Sequence, residues 1–133
     1  MPFSHDNFIA HQKAIKFIER CHPVLEQIPA KYAARDQLDR ASTSIALNIA
    51  EGNARFSKND RARFFQFAHG STVECAACLD VLVAPKIITE NATTDLKSLL
   101  LEISKILLKL LDQLDCRISE ESDFSYKAPA NKF

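Results

Sequence analysis

Hydrophobic residues recur along this chain at spacings of three and four, the period of a helix with one buried face. They fall into four segments separated by turn residues. The first runs from about Asp6 to Ile28. It carries a stripe of Phe8, His11, Ile15, Ile18, His22 and Leu25 beside a second of Ala14, Phe17, Cys21, Val24 and Ile28, which together predict a wide buried face. Pro23 has no N–H and crowds the carbonyl four residues back, so a kink or break is expected near Cys21–His22, with Pro29 at the exit. The second segment runs from about Ala33 to Asn53. Leu38, Ala41, Ile45, Ile49 and Gly52 keep helical spacing there, and Ser42, Ser44, Ala46 and Ala50 make much of that face small.

The third segment has the clearest start. Ser57 with Asp60 three residues later fits a capping box, and the stripe Phe64, Ala68, Ser71, Cys75, Cys78, Leu82 follows until Pro85. Before the fourth, Thr89–Thr94 reads as a polar loop, with Thr93, Thr94 or Asp95 as cap. Leu96, Leu100, Ile103, Leu107, Leu110 and Leu114 then form a heptad stripe. Leu101 and Leu108 fall outside it, beside Lys105 and Asp112. Apolar surface beyond what one bundle buries implies a partner, and a second copy of the chain is the simplest one. The pattern predicts an all-α, antiparallel up-down four-helix bundle over residues 1–118, self-associating through Leu101 and Leu108, with a mobile tail at 119–133.

Composition narrows the function. The 133 residues suit one domain and one core. Only two are glycine, too few for a phosphate-cradling loop of the GxGxxG or GxxxxGK[ST] kind. Seventeen basic residues balance seventeen acidic ones, which excludes a wholly basic nucleic-acid coat, so any such role rests on a local patch. The opening MPFSHDNFIAHQK does not read as a secretory signal. The apolar stretch Leu96–Leu114 is interrupted by Lys97, Glu102, Lys105, Lys109 and Asp112, against a membrane span. A cytoplasmic protein with reduced thiols is expected.

Candidate chemistry is sparse. Cys75-Ala-Ala-Cys78 is a lone CxxC in mid-helix, without the second pair a structural zinc needs and away from the helix start that activates a redox thiol. His11 and His22, eleven residues apart, stand about 16 Å apart along a helix and cannot share a metal. No catalytic site, metal or cofactor is expected. Charge is more informative. Residues 31–63 hold seven basic against four acidic residues, a net +3. Arg55, Lys58, Arg61 and Arg63 crowd one turn beside Phe56, with Lys31 and Arg35 as outlying candidates. Such side chains suit phosphate contacts, and a solvated turn with ordinary surface charge is the alternative.

The run from Gln37 to Arg55, QLDRASTSIALNIAEGNAR, followed by FFQFAHGSTVE from Phe64 to Glu74, resembles a bacterial four-helix-bundle family. That family includes the 23S rRNA intervening-sequence proteins and the accessory variability determinants of diversity-generating retroelements. The resemblance rests on Arg40, Asn48, Glu51, Gly52, Arg55, Gly70, Ser71 and Glu74 and covers roughly residues 8–115. It implies a four-helix protomer, commonly in a homopentameric ring. For retroelement members it also implies a basic surface for RNA or DNA and a reverse transcriptase as partner, with catalysis left to that partner. Two functions are therefore expected as alternatives: a non-enzymatic nucleic-acid-binding accessory factor, or a scaffold ring that binds protein only. Helical spacing gives the motif a structural reading as well. Arg40, Asn48, Glu51 and Glu74 would form a polar network between the second and third helices, and Gly52 and Gly70 would permit close backbone approach.

Overall fold

The computed structural model describes residues 3–114; the expected tail at 119–133 and the boundary at 118 lie outside them. A single 3-10 turn, Ser4–Asn7, precedes four helices: α1 (Ile9–Gln27), α2 (Ala33–Ala54), α3 (Lys58–Val83) and α4 (Glu90–Leu114). Each helix packs on its two neighbours in the order α1, α2, α3, α4, and α4 closes back on α1. The result is an up-down bundle with a square cross-section, as the periodicity predicts.

The core lies along the bundle axis. Phe17, Leu38, Ile45, Ile49, Phe65, Leu79, Leu82, Ile103 and Leu107 are fully buried side chains from all four helices. On α1 one of the two expected stripes is buried throughout, and the other contributes Leu25, with Phe8 and Ile18 packed at the core's edge. Ala14, Phe17, Cys21, Val24 and Ile28 are buried, whereas Ile15 and His22 are exposed. α1 also runs through Pro23 without the expected break. The carbonyl that Pro23 cannot serve belongs to Glu19, an exposed residue, where solvent can donate to it.

α2 and α3 make the most extensive contact. Gly52 is the reason they come so close: a Cβ there would sit 2.7 Å from Cε1 and 2.8 Å from Cδ1 of Phe65, whose ring is fully buried. Gly70 has no such role. Nothing lies within 4 Å of where its Cβ would be.

Helix ends depart from expectation in an instructive way. Ser57 caps α3 as predicted, its Oγ accepting from the Asp60 N–H at 3.1 Å. α4, however, begins at Glu90, with Thr89 Oγ1 accepting from the Ala92 N–H at 3.1 Å. The threonines read as loop are its first turn. Thr93 is buried, and its hydroxyl donates to the Glu90 carbonyl at 2.7 Å. At the end of α3, the Ile87 N–H reaches the Leu82 carbonyl and the Lys86 N–H the Val83 carbonyl, at 3.0 and 2.8 Å. That is a Schellman closure, and Lys86 sits in the left-handed position normally given to glycine, at φ 64°.

This geometry makes three substitutions informative about stability. Gly52→Ala should lower stability by about 1–2 kcal/mol in urea unfolding through overpacking against Phe65. Gly70→Ala should raise it by about 0.5–1 kcal/mol, the ordinary gain at an open helical glycine. Lys86→Gly should also stabilise, by about 0.5–1 kcal/mol. Relief of the left-handed strain there outweighs glycine's extra chain entropy, and a melting temperature higher by a few degrees would register it.

Candidate nucleic-acid interface

α2 ends at Ala54 and α3 starts at Lys58, so three residues make the connection. Arg55 and Ser57, the caps on either side, are both extended. The Ser57 hydroxyl caps α3 by accepting from the Asp60 N–H. Phe56 between them is fully exposed.

The cations around this turn divide by what they touch. The Arg55 guanidinium lies 4.7 Å from the Phe64 ring centroid, and its Nη2 is 3.0 Å from Glu51 Oε2. Arg63 approaches the same ring at 5.0 Å and stands 3.9 Å from Asp60. Phe64 meets Phe67 edge-on, with centroids 6.1 Å apart. Lys58 is exposed and forms no ion pair among the described residues. Arg61 differs from the other three. It is half-buried over Phe65, and its Nη1 donates to the Asn53 carbonyl at 3.0 Å and to the Arg55 carbonyl at 3.5 Å. It caps the end of α2 and is not free to serve a ligand.

The outlying candidates are not part of this cluster. Arg35 lies in the first turn of α2 and Arg55 just past its end, about 30 Å away at 1.5 Å per residue. Arg35 Nε donates to the Leu25 carbonyl at 3.1 Å, closing the end of α1, and Lys31 stands 5.3 Å over the Tyr32 ring. The N-terminal turn, by contrast, comes to the site unforeseen. Asn53 Nδ2 donates to Ser4 Oγ at 3.2 Å, which places the stacked Phe3–His5 pair at the same end of the bundle. No periodicity announces that contact, because it joins residues 49 apart.

The expected polar network between α2 and α3 is not the one observed. Arg40 and Glu74 are exposed, and neither hydrogen-bonds to another described residue through its side chain. Glu51 pairs with Arg55 on its own side of the turn. The cross-helix link is made by smaller groups. Ser71 Oγ donates to Ser44 Oγ, and Asn48 Nδ2 donates to both the hydroxyl and the carbonyl of Ser44, all at 2.9 Å. Where two helices approach over alanine, serine and glycine, hydroxyls reach across but long side chains have no room and turn outward.

Leu101 and Leu108 are 55% and 47% exposed, as their position outside the stripe predicts. Leu101 borders an open groove between α3 and α4, with Val73, Ala76 and Leu100 along it. Among the described residues the cysteines are Cys21, Cys75 and Cys78, and all three sit in the core. Burial pushes the Cys21 thiol up to about 12 and raises Cys75 and Cys78 as well, so none is activated. Burial also lowers the pKa of His69, whose Nε2 is 2.9 Å from Ser104 Oγ. Among the described residues no group of three or more His, Cys, Asp or Glu could hold a metal ion, and no helix is long and apolar enough to cross a membrane.

Among solved structures, the chain is similar to a protein of unknown function from the S23 ribosomal protein family of Bacteroides thetaiotaomicron. The TM-score is 0.72 at 22% identity, over 77% of this chain and 97% of that one. This likeness supports the fold. No curated protein matches. Residues 6–109 match the family described as 23S rRNA-intervening sequence protein, a span that includes α1, α2, the α2–α3 turn, α3 and most of α4. On that match, the chain belongs to the 23S rRNA-intervening sequence protein family.

Proposed function

We propose that the protein is a non-enzymatic, self-associating nucleic-acid-binding accessory factor whose contact surface is the α2–α3 turn. The observation that carries this reading is the placement of Arg55, Lys58 and Arg63 together on one exposed turn, two of them stacked on a phenyl ring and the third unpaired. Between positions 55 and 63 four basic residues face one acidic one, in a chain that is neutral as a whole. Guanidinium groups held by aromatic faces lose less freedom on meeting a phosphate, so contacts at this turn cost little ordering. The burial of Cys21, Cys75 and Cys78 accords with a binding role over a catalytic one.

Self-association supports the same role. The exposed Leu101 and Leu108 offer apolar surface for a second copy, and a ring, of five copies as the family resemblance suggests, would repeat the cationic turn around its rim. A scaffold that binds only protein is the competing reading. The open apolar groove between α3 and α4 favours it.

A salt series decides between them. By fluorescence anisotropy with labelled RNA and DNA, affinity should fall with a log–log slope of about −2 to −3 per copy, given about −0.7 to −0.9 for each of three phosphates. Lys58→Ala with Arg63→Ala should weaken binding and flatten that slope while leaving the fold intact. Arg61→Ala is the wrong probe, because losing its cap should cost about 1 kcal/mol of stability. Absence of binding at low salt would defeat the nucleic-acid reading and leave the scaffold. Sedimentation at micromolar concentration should give an oligomer, and Leu101→Gln with Leu108→Gln should shift it toward the monomer. A wild-type monomer would overturn the assembly.

A further inference from the structure

The exposed ring at the centre of the cationic turn narrows the partner. Phe56 is fully exposed, on the connection between two helices that are otherwise well packed. Leaving a phenyl ring in water forfeits the stabilisation that burial would bring. Its neighbours in the chain and across the turn are cations: Arg55 beside it, Lys58 two residues on, and Arg63 over Phe64. An apolar partner surface would have to desolvate those charges, and an acidic protein surface would leave the ring without a planar counterpart. A phosphate-bearing chain with accessible aromatic faces satisfies both. In a duplex the base faces are stacked on one another and only the backbone is offered, whereas in a single strand the faces are free.

We infer that the α2–α3 turn takes single-stranded nucleic acid, with an unpaired base stacked on Phe56 and the flanking phosphates on Arg55, Lys58 and Arg63. This rests on the nucleic-acid reading above and adds the form of the partner. The spacing suits it. Phe56 lies at a bend in the three-residue link, and its ring is fully exposed. The stacked Phe3–His5 pair lies at the same end of the bundle. Stacking releases no counterions, so the ring contributes affinity that salt does not screen, apart from the cationic share that salt does.

The test uses the full chain, a non-self-complementary 20-nucleotide strand as RNA and as DNA, and each strand annealed to its complement with blunt ends. Single strands should bind at least about 5-fold tighter than the duplexes, the worth of one stacked base. Phe56→Ala should remove that advantage without altering the salt slope, whereas Lys58→Ala should flatten the slope and keep the preference. Since the chain contains no tryptophan, Phe56→Trp supplies a sole indole at the site. Its emission should be quenched by single strands and little changed by blunt duplex. The RNA and DNA arms show whether the sugar matters. Equal affinity for strand and duplex, or Phe56→Ala binding as the wild type does, would overturn the inference while the nucleic-acid reading stands. If Phe56→Ala instead dissociates the oligomer with no effect on strand binding, the ring is a subunit contact and the inference fails. If neither strand nor duplex binds at low salt, the broader reading fails and this one with it.

Discussion

The contact between Gly52 and Phe65 constrains much of the rest of the molecule. The position of the Gly52 Cβ is already occupied by a buried ring, so α2 and α3 meet nearly backbone to side chain at the end where they connect. Helices that close there can be joined by a short link, and three residues suffice. A link that short cannot fold its own side chains inward. Ser57 is committed to capping α3, Arg55 lies back along Phe64, and Phe56 is left in solvent. The candidate site is thus a consequence of helix packing: the tight seam behind it determines which residues are presented and how closely.

The same shortage of glycine that excludes phosphate-cradling loops shapes the helix ends. A helix leaves its last carbonyls unserved, and a glycine past the end is the usual remedy. This chain has two glycines, neither in such a place, and uses cations instead. Arg35, in the first turn of α2, reaches back to the Leu25 carbonyl at the end of α1. Arg61, in the first turn of α3, reaches back to Asn53 at the end of α2. At the end of α3 the remedy is Lys86, held in the left-handed conformation. A basic residue near a turn in this sequence therefore has two possible uses, and charge counting cannot tell them apart. The net +3 over residues 31–63 includes two arginines that serve the fold. The charges free for a ligand are Lys58 and the outer faces of Arg55 and Arg63.

The architecture was legible in the sequence because it rests on periodicity. The α4 stripe from Leu96 to Leu107, the α2 stripe from Leu38 to Gly52 and the Ser57 cap all lie where spacing and capping chemistry put them. Errors came where local signals compete with packing. Pro23 interrupts the hydrogen-bond ladder on an exposed side of α1, and the buried stripe opposite carries the helix through. The threonines before Leu96 look like a loop by composition, yet their hydroxyls can serve carbonyls of their own turn and so enter the helix. Arg40, Asn48, Glu51 and Glu74 share helical faces in sequence, but sharing a face does not say whether it points at a neighbour. With Ser44 and Ser71 already touching across the seam, no space remains there for carboxylates or a guanidinium.

In a neutral chain, a site of the proposed kind would recognise its partner differently from a basic protein. At physiological salt a charge acts over roughly 8–10 Å, so a cluster of three cations on one turn is felt only near contact. Long-range capture would be weak, and discrimination would fall to what the turn can touch: a phosphate within reach of Lys58, a planar group within reach of Phe56. Repetition around a ring would change the balance, because several turns on one rim overlap in range and a strand held at one turn meets the next at high effective concentration. A modest site on each copy would then suffice, and the exposed leucines of α4 and the exposed ring of the turn would be two parts of one device, the first gathering the copies and the second giving each a foothold on the strand.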